Sequence, residues 1–184
     1  LNDEDHAYAK IRLDERSLRT AIEGIGRLED SLARALCWGS AWDMTRDAEM
    51  SATDFVALVL SGIGAETDAW GVSRIPTYAA QAVTVMSAPQ GRSALQATWE
   101  QGLRRLAHEA EAGSDHQLAF VRGYAAAAHS DTAVAEIAAL LDGSQSLDGL
   151  ALDDDMSWTL LTCLARNGRV GEADRDAVAG GRRR

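Results

Sequence analysis

The sequence predicts an all-α fold, and three observations carry that reading. Apolar residues recur at three- and four-residue spacing through most of the 184 residues. Helix-start pairs stand ahead of apolar runs, such as Ser51 with Asp54 and Ser114 with Gln117. Only His6 to Leu13 alternates as a strand would, and no second strand exists to pair with it.

Residues 1–13 are therefore expected to be a remnant strand, the least anchored part of the chain, and residues 14–184 a single helical domain. Asp14 or Ser17 starts the first helix, through Leu18, Ile22, Ile25 and Leu28, with Gly24 and Gly26 weakening its end. The stretch from Asp30 to Phe55 reads as helix, turn and helix. Leu32, Ala35, Leu36, Gly39 and Trp42 form its apolar stripe, with Trp38 on a neighbouring face. So wide an apolar surface points to a helix buried on most sides, at the centre of the body. Asp43 and Arg46 can pair at i,i+3.

Gly62 and Gly64 break the chain after the next helix. Pro76 should kink or split the segment from Asp68 to Met86, because it removes a backbone donor. Ser87-Ala88-Pro89-Gln90 signals a start for a helix with Leu95, Trp99, Leu103 and Leu106 inward, which Gly113 stops. Ser114 opens the next, Asp131 another that Gly143 closes, and Gly143 to Asp148 is the longest loop. Asp153-Asp154-Asp155 places negative charge at the positive end of a helix that Asn167-Gly168 terminates. Glu172 to Val178 reads as a last helix. That makes about nine helices, paired at roughly 35 to 45 residue spacing, the range of helical-repeat arrays. The expected architecture is an irregular array of antiparallel pairs, a HEAT/armadillo-like right-handed superhelical stack. A closed bundle is the alternative.

The formal charge of −10, with Lys10 the sole lysine, argues against nucleic acid as a partner, since phosphate neutralisation needs clustered basic residues. Arg182-Arg183-Arg184 reads as a solvated tail. No apolar run approaches the roughly 20 residues of a spanning helix, so membrane insertion is not expected. Cys37 and Cys163 lie in separate helices without C-x-x-C spacing, and buried reduced thiols fit a cytoplasmic address. Leu1 and the helix-like end suggest cuts inside a longer protein.

LARALCWGSAWDMTRDAEMSATDFVALVL, followed by Ala65-Glu66-Thr67-Asp68, resembles the C-terminal helical region of the bacterial aminopeptidase N family. Leu1 to Glu15 is similar to that family's passage from a small β-domain into the helices. Gly149 to Trp158, with Leu160-Leu161 and Leu164 to Gly168, resembles a late helix, although Ser157 stands where the family tends to carry Arg. The resemblance covers residue 1 to about residue 178. It implies a zinc metallopeptidase parent that releases N-terminal residues from peptides. The helices would cap the catalytic domain and wall a chamber that admits short peptides. Zinc, its ligands and the catalytic base would lie upstream of Leu1.

The residues themselves carry no catalytic set. A zinc peptidase needs H-E-x-x-H on a helix, with two His one turn apart as ligands. His108-Glu109-Ala110-Glu111-Ala112 has Ala112 in place of the second His and reads as a solvated face. His6, His116 and His129 show no ligand spacing, and neither Cys has a His nearby in sequence. Gly62-Ile63-Gly64 lacks the third glycine of a dinucleotide loop, and Asp153 to Asp155 lack the spacing of a calcium loop. Trp38, Trp42, Trp70, Trp99 and Trp158 read as core. The expectation is no catalytic, cofactor-binding or metal-binding residue in this chain. Expected partners are an upstream catalytic domain, peptide substrates of the parent, and weak self-association through an uncovered face. A stand-alone helical scaffold that binds a protein in a concave groove is the alternative.

Overall fold

A computed structural model describes residues 9–170. Among them it shows eight α-helices and no strand. These are α1 (Glu15–Gly24), α2 (Ser31–Arg46), α3 (Ala52–Gly62), α4 (Ala69–Gln81), α5 (Pro89–Glu109), α6 (Asp115–Ala127), α7 (Asp131–Asp142) and α8 (Asp154–Arg166). The all-α expectation holds. The last helix expected from the sequence, at Glu172 to Val178, lies outside the described residues, as do His6 and the arginine tail. Residues 9–13 form neither helix nor strand. They are nonetheless tied down: Leu13 is buried, and Lys10 and Arg12 pair with Asp47 while Arg12 also reaches Glu49.

Local sequence explains the helix starts. The side chains of Asp14, Asp30, Ser51, Asp68, Ser114, Ser130 and Asp153 each accept a hydrogen bond from a backbone N–H of the following turn. At Ser51 the hydroxyl also donates to Asp54 at 2.8 Å. Ser87 does not cap α5. It is buried, donates to the Val83 carbonyl and accepts from Arg92 Nε at 3.1 Å, so Arg92 stitches the start of α5 to the preceding turn. Pro76 does not split its helix either, since α4 runs through it. The irregular element comes later, a π-helical turn over Ala82–Met86.

The chain divides into two compact units, Leu1–Trp99 and Glu100–Arg184, and the boundary falls inside α5. In the first unit α3, not α2, is the central helix. Phe55, Val56, Leu58 and Val59 are buried, and α3 packs against α1, α2, α4 and the π turn. Gly62 permits this closeness, because a Cβ there would meet Ile25 Cγ2 at 2.2 Å. In the second unit α8 packs on α6 and α7 around Phe120, Tyr124, Ile137, Met156 and Leu160. Gly149, at φ +74°, lets its turn approach the backbone at Gly113, where a Cβ would come within 2.3 Å.

The face that α2 buries differs from the expected one. Arg34, Cys37, Trp38, Ala41, Trp42 and Thr45 are buried, whereas Leu32, Ala35 and Gly39 are exposed. Two candidate faces share Trp42, which is buried as expected, and the face that adds Trp38 is the one turned to α3. Burial follows the larger side chains, since a buried aromatic removes more apolar area from water than a Leu–Ala–Gly ridge. Asp43 and Arg46 do pair, at 3.6 Å, but on the surface.

Candidate functional site

α2, the Ile63–Ala65 turn and the start of α4 meet at one buried polar node in the first unit. Arg34 projects from the first turns of α2, and Glu66 from the link into α4. Arg34 Nε donates to both Glu66 oxygens at 3.3 Å, and Nη2 to Oε1 at 3.1 Å. Nη2 also donates to the Thr67 hydroxyl, and Nη1 to the carbonyls of Leu28 and Glu29. Trp38 Nε1 donates to Glu66 Oε2 at 2.8 Å, and the backbone N–H groups of Thr67 and Asp68 donate to Oε1. Burial pushes the Glu66 carboxyl upward, but these donors outweigh it and hold the pKa down at about 2. The node joins three chain segments: the first turns of α2, the Leu28–Glu29 carbonyls and the link into α4.

Beside it is an apolar pocket of about 100 Å³, lined by Trp38, Trp42, Phe55, Trp70 and Tyr78 among others. Trp42 stacks on Tyr78 at 4.6 Å with 7° between the planes, and meets Phe55 at 5.4 Å, tilted by 40°. Trp70 lines the pocket while 58% exposed, so it stands at the rim.

The second unit holds two further carboxylate nodes. Glu136 accepts from Arg104 Nε at 2.6 Å and from the Tyr124 hydroxyl at 2.9 Å, and lies 2.7 Å from His108 Nε2. Burial raises its pKa, and these three partners bring it below the usual carboxylate range. Glu100 caps the start of α7. It accepts from the backbone N–H groups of His129 and Ser130 and from the Ser130 hydroxyl, which lower its pKa against the pull of burial.

His108 lies on an exposed face, as expected, and there it also meets Glu136. His116 meets Phe120 edge-on at 5.7 Å, and His129 lies 3.0 Å from Glu100. Among the described residues no three His, Cys, Asp or Glu side chains come together as a metal site, so these residues do not fit the zinc that the resemblance implies for the parent. Cys37 and Cys163 are free and buried, and burial raises both thiol pKa values. Asp153 and its two neighbours serve the start of α8. Trp38, Trp42 and Trp99 are core as expected, but Trp70 and Trp158 are exposed at 58% and 44%. No described helix is long and apolar enough to cross a membrane.

Sequence reasoning missed Arg34 and Glu66. The signal for Arg34 was present, because positions 34, 37, 38, 41, 42 and 45 share one helical face that the arginine begins. For Glu66 spacing offered none, as its partner lies 32 residues away, and it stood out only as part of the Ala65-Glu66-Thr67-Asp68 stretch of the family resemblance.

A family model described as the ERAP1-like C-terminal domain matches residues 1–180. The chain is also similar to an Aminopeptidase N of Streptomyces lividans, at 46% identity over 189 residues. That alignment takes in 100% of this chain and 22% of the relative, so the chain spans about a fifth of the length of the curated protein it matches.

Proposed function

Since the chain belongs to the ERAP1-like C-terminal domain family, we propose that it is the non-catalytic C-terminal domain of a zinc-dependent aminopeptidase N. In this reading the parent releases N-terminal amino acids from peptides. The helices cap the catalytic domain and form a wall of the chamber where peptides are cleaved. The metal, its ligands and the base belong to the upstream part of the parent. The observation that carries the reading is the 46% identity, which runs through the entire chain and takes in only 22% of an aminopeptidase N. The polar nodes support it as well. Glu66, Glu100 and Glu136 have their carboxylates engaged by neighbouring donors that join segments of the fold, which suits a scaffold. The two buried, unpaired thiols favour a reducing compartment, and we assign the parent to the cytoplasm.

The test compares this chain with its full-length parent. The parent binds zinc and hydrolyses an aminoacyl anilide, whereas the chain alone does neither. Stoichiometric zinc on the isolated chain that is lost in His108→Ala would overturn the reading. So would a gene with no H-E-x-x-H motif upstream of Leu1, which would favour a stand-alone scaffold.

A further inference from the structure

Gly39 sits in the middle of α2, where glycine is less favourable than alanine. Nothing in the described fold requires it, because a Cβ built there meets no atom within 4 Å. Gly39 lines the aromatic pocket together with Ala35, one turn earlier, and both are exposed. The helix therefore presents nearly bare backbone to whatever lies over the pocket. Five of the chain's ten Trp, Tyr and Phe residues line the same cavity. One of them, Trp70, is left 58% exposed to water. A lone exposed apolar side chain is ordinary, so what sets this place apart is the indole at the rim of an apolar cavity beside bare helix backbone.

Size and charge narrow the occupant. About 100 Å³ is below the roughly 300–1,000 Å³ of a small-molecule site. It is close to the cavity of roughly 150 Å³ that holds one benzene ring, so the space suits a single apolar side chain. No Lys, Arg or His lines the pocket. Of its two carboxylates, Glu66 is engaged by Arg34 and Trp38, and Asp68 caps α4 through Oδ2 from an exposed position. An occupant that brings a hydrogen-bond donor or a cation beside its apolar group would complement Asp68.

We propose that this pocket is a socket for one apolar side chain carried by the remainder of the parent aminopeptidase, seated across Ala35 and Gly39 with a donor facing Asp68. The inference rests on the function proposed above and adds which face of the domain meets its partner. The larger part of the Streptomyces relative lies outside the region matched here, and the parent's corresponding part is the source of the side chain.

Gly39→Cys places a thiol at the pocket wall without a clash. Its reaction with a maleimide is followed at that position by peptide mass spectrometry, in the isolated chain and in the full-length parent. In the isolated chain the thiol reacts freely. In the parent it reacts roughly tenfold or more slowly, because labelling follows the population of the opened contact. A second variant, Gly39→Leu, fills the socket; its isolated chain melts no lower than wild type, while in the parent it makes the domain easier to release by limited proteolysis. Equal labelling of position 39 in chain and parent overturns the inference. So does slow labelling of the isolated chain that speeds up on dilution, which would assign the pocket to a second copy. Neither result bears on peptide-length selectivity, so the socket can fail while the chamber-wall reading stands, and the reverse.

Discussion

Arg34 and Glu66 form an ion pair with Nη2 to Oε1 at 3.1 Å and only 5% and 2% of their side-chain surfaces exposed. Desolvating two charges is expensive, and the pair is tolerable because Trp38, Thr67 and four backbone groups complete its hydrogen bonds. Removing one partner strands the other. Glu66→Ala or Arg34→Ala should each cost about 3–5 kcal/mol. The double variant should cost clearly less than the sum, because the second deletion removes the stranded charge. Chemical denaturation of the four proteins checks this, and strict additivity would show that the two residues are not coupled.

Glu66 also sets an acid limit on stability. Its pKa is about 2 in the folded chain against the 4.5 of a free glutamate, so between those values the unfolded chain binds more protons. Its contribution is complete above the unfolded pKa and is lost as pH falls through that window. At 1.36 kcal/mol per unit, the full loss is about 3 kcal/mol. Glu66→Gln should be less stable than wild type near neutrality, with the difference shrinking as pH drops from about 5 to about 2.5. A gap that stays constant over that range would show that Glu66 is not held ionised by its partners.

The tryptophans separate core from rim. Trp42, stacked on Tyr78 and 9% exposed, should lose about 3–5 kcal/mol on replacement by Ala. Trp70→Ala should lose less than about 1 kcal/mol in the isolated chain, as expected of a mostly exposed side chain. A loss below 1 kcal/mol at Trp42 in chemical denaturation, or equal losses at the two sites, would contradict the placement of α2 against α3.

What was legible in the sequence was local. The caps at Asp14, Ser51 and Ser114 involve groups within three residues of one another, and they formed as expected. The inward face of α5 was also readable, because Leu95, Trp99, Leu103 and Leu106 leave no competing stripe. On α2 two candidate faces shared Trp42, and the choice between them depended on α3 and on Glu66 beyond it. Ser87 looked like a cap, yet Arg92 and the Val83 carbonyl drew it into a different set of bonds. Trp70 carries the residue type of a core position, but its exposure depends on which surface the chain leaves open. Residue type and spacing do not encode that.

The central claim is that these helices wall a peptide chamber. It is tested by measuring kcat/KM over a series of peptides of increasing length, for the full-length parent and for the parent truncated before Asp14, with and without the separate chain. The truncated parent should discriminate less by length, and adding the chain should restore the preference for short peptides. A stable truncated parent that already discriminates as the full enzyme does would contradict the claim.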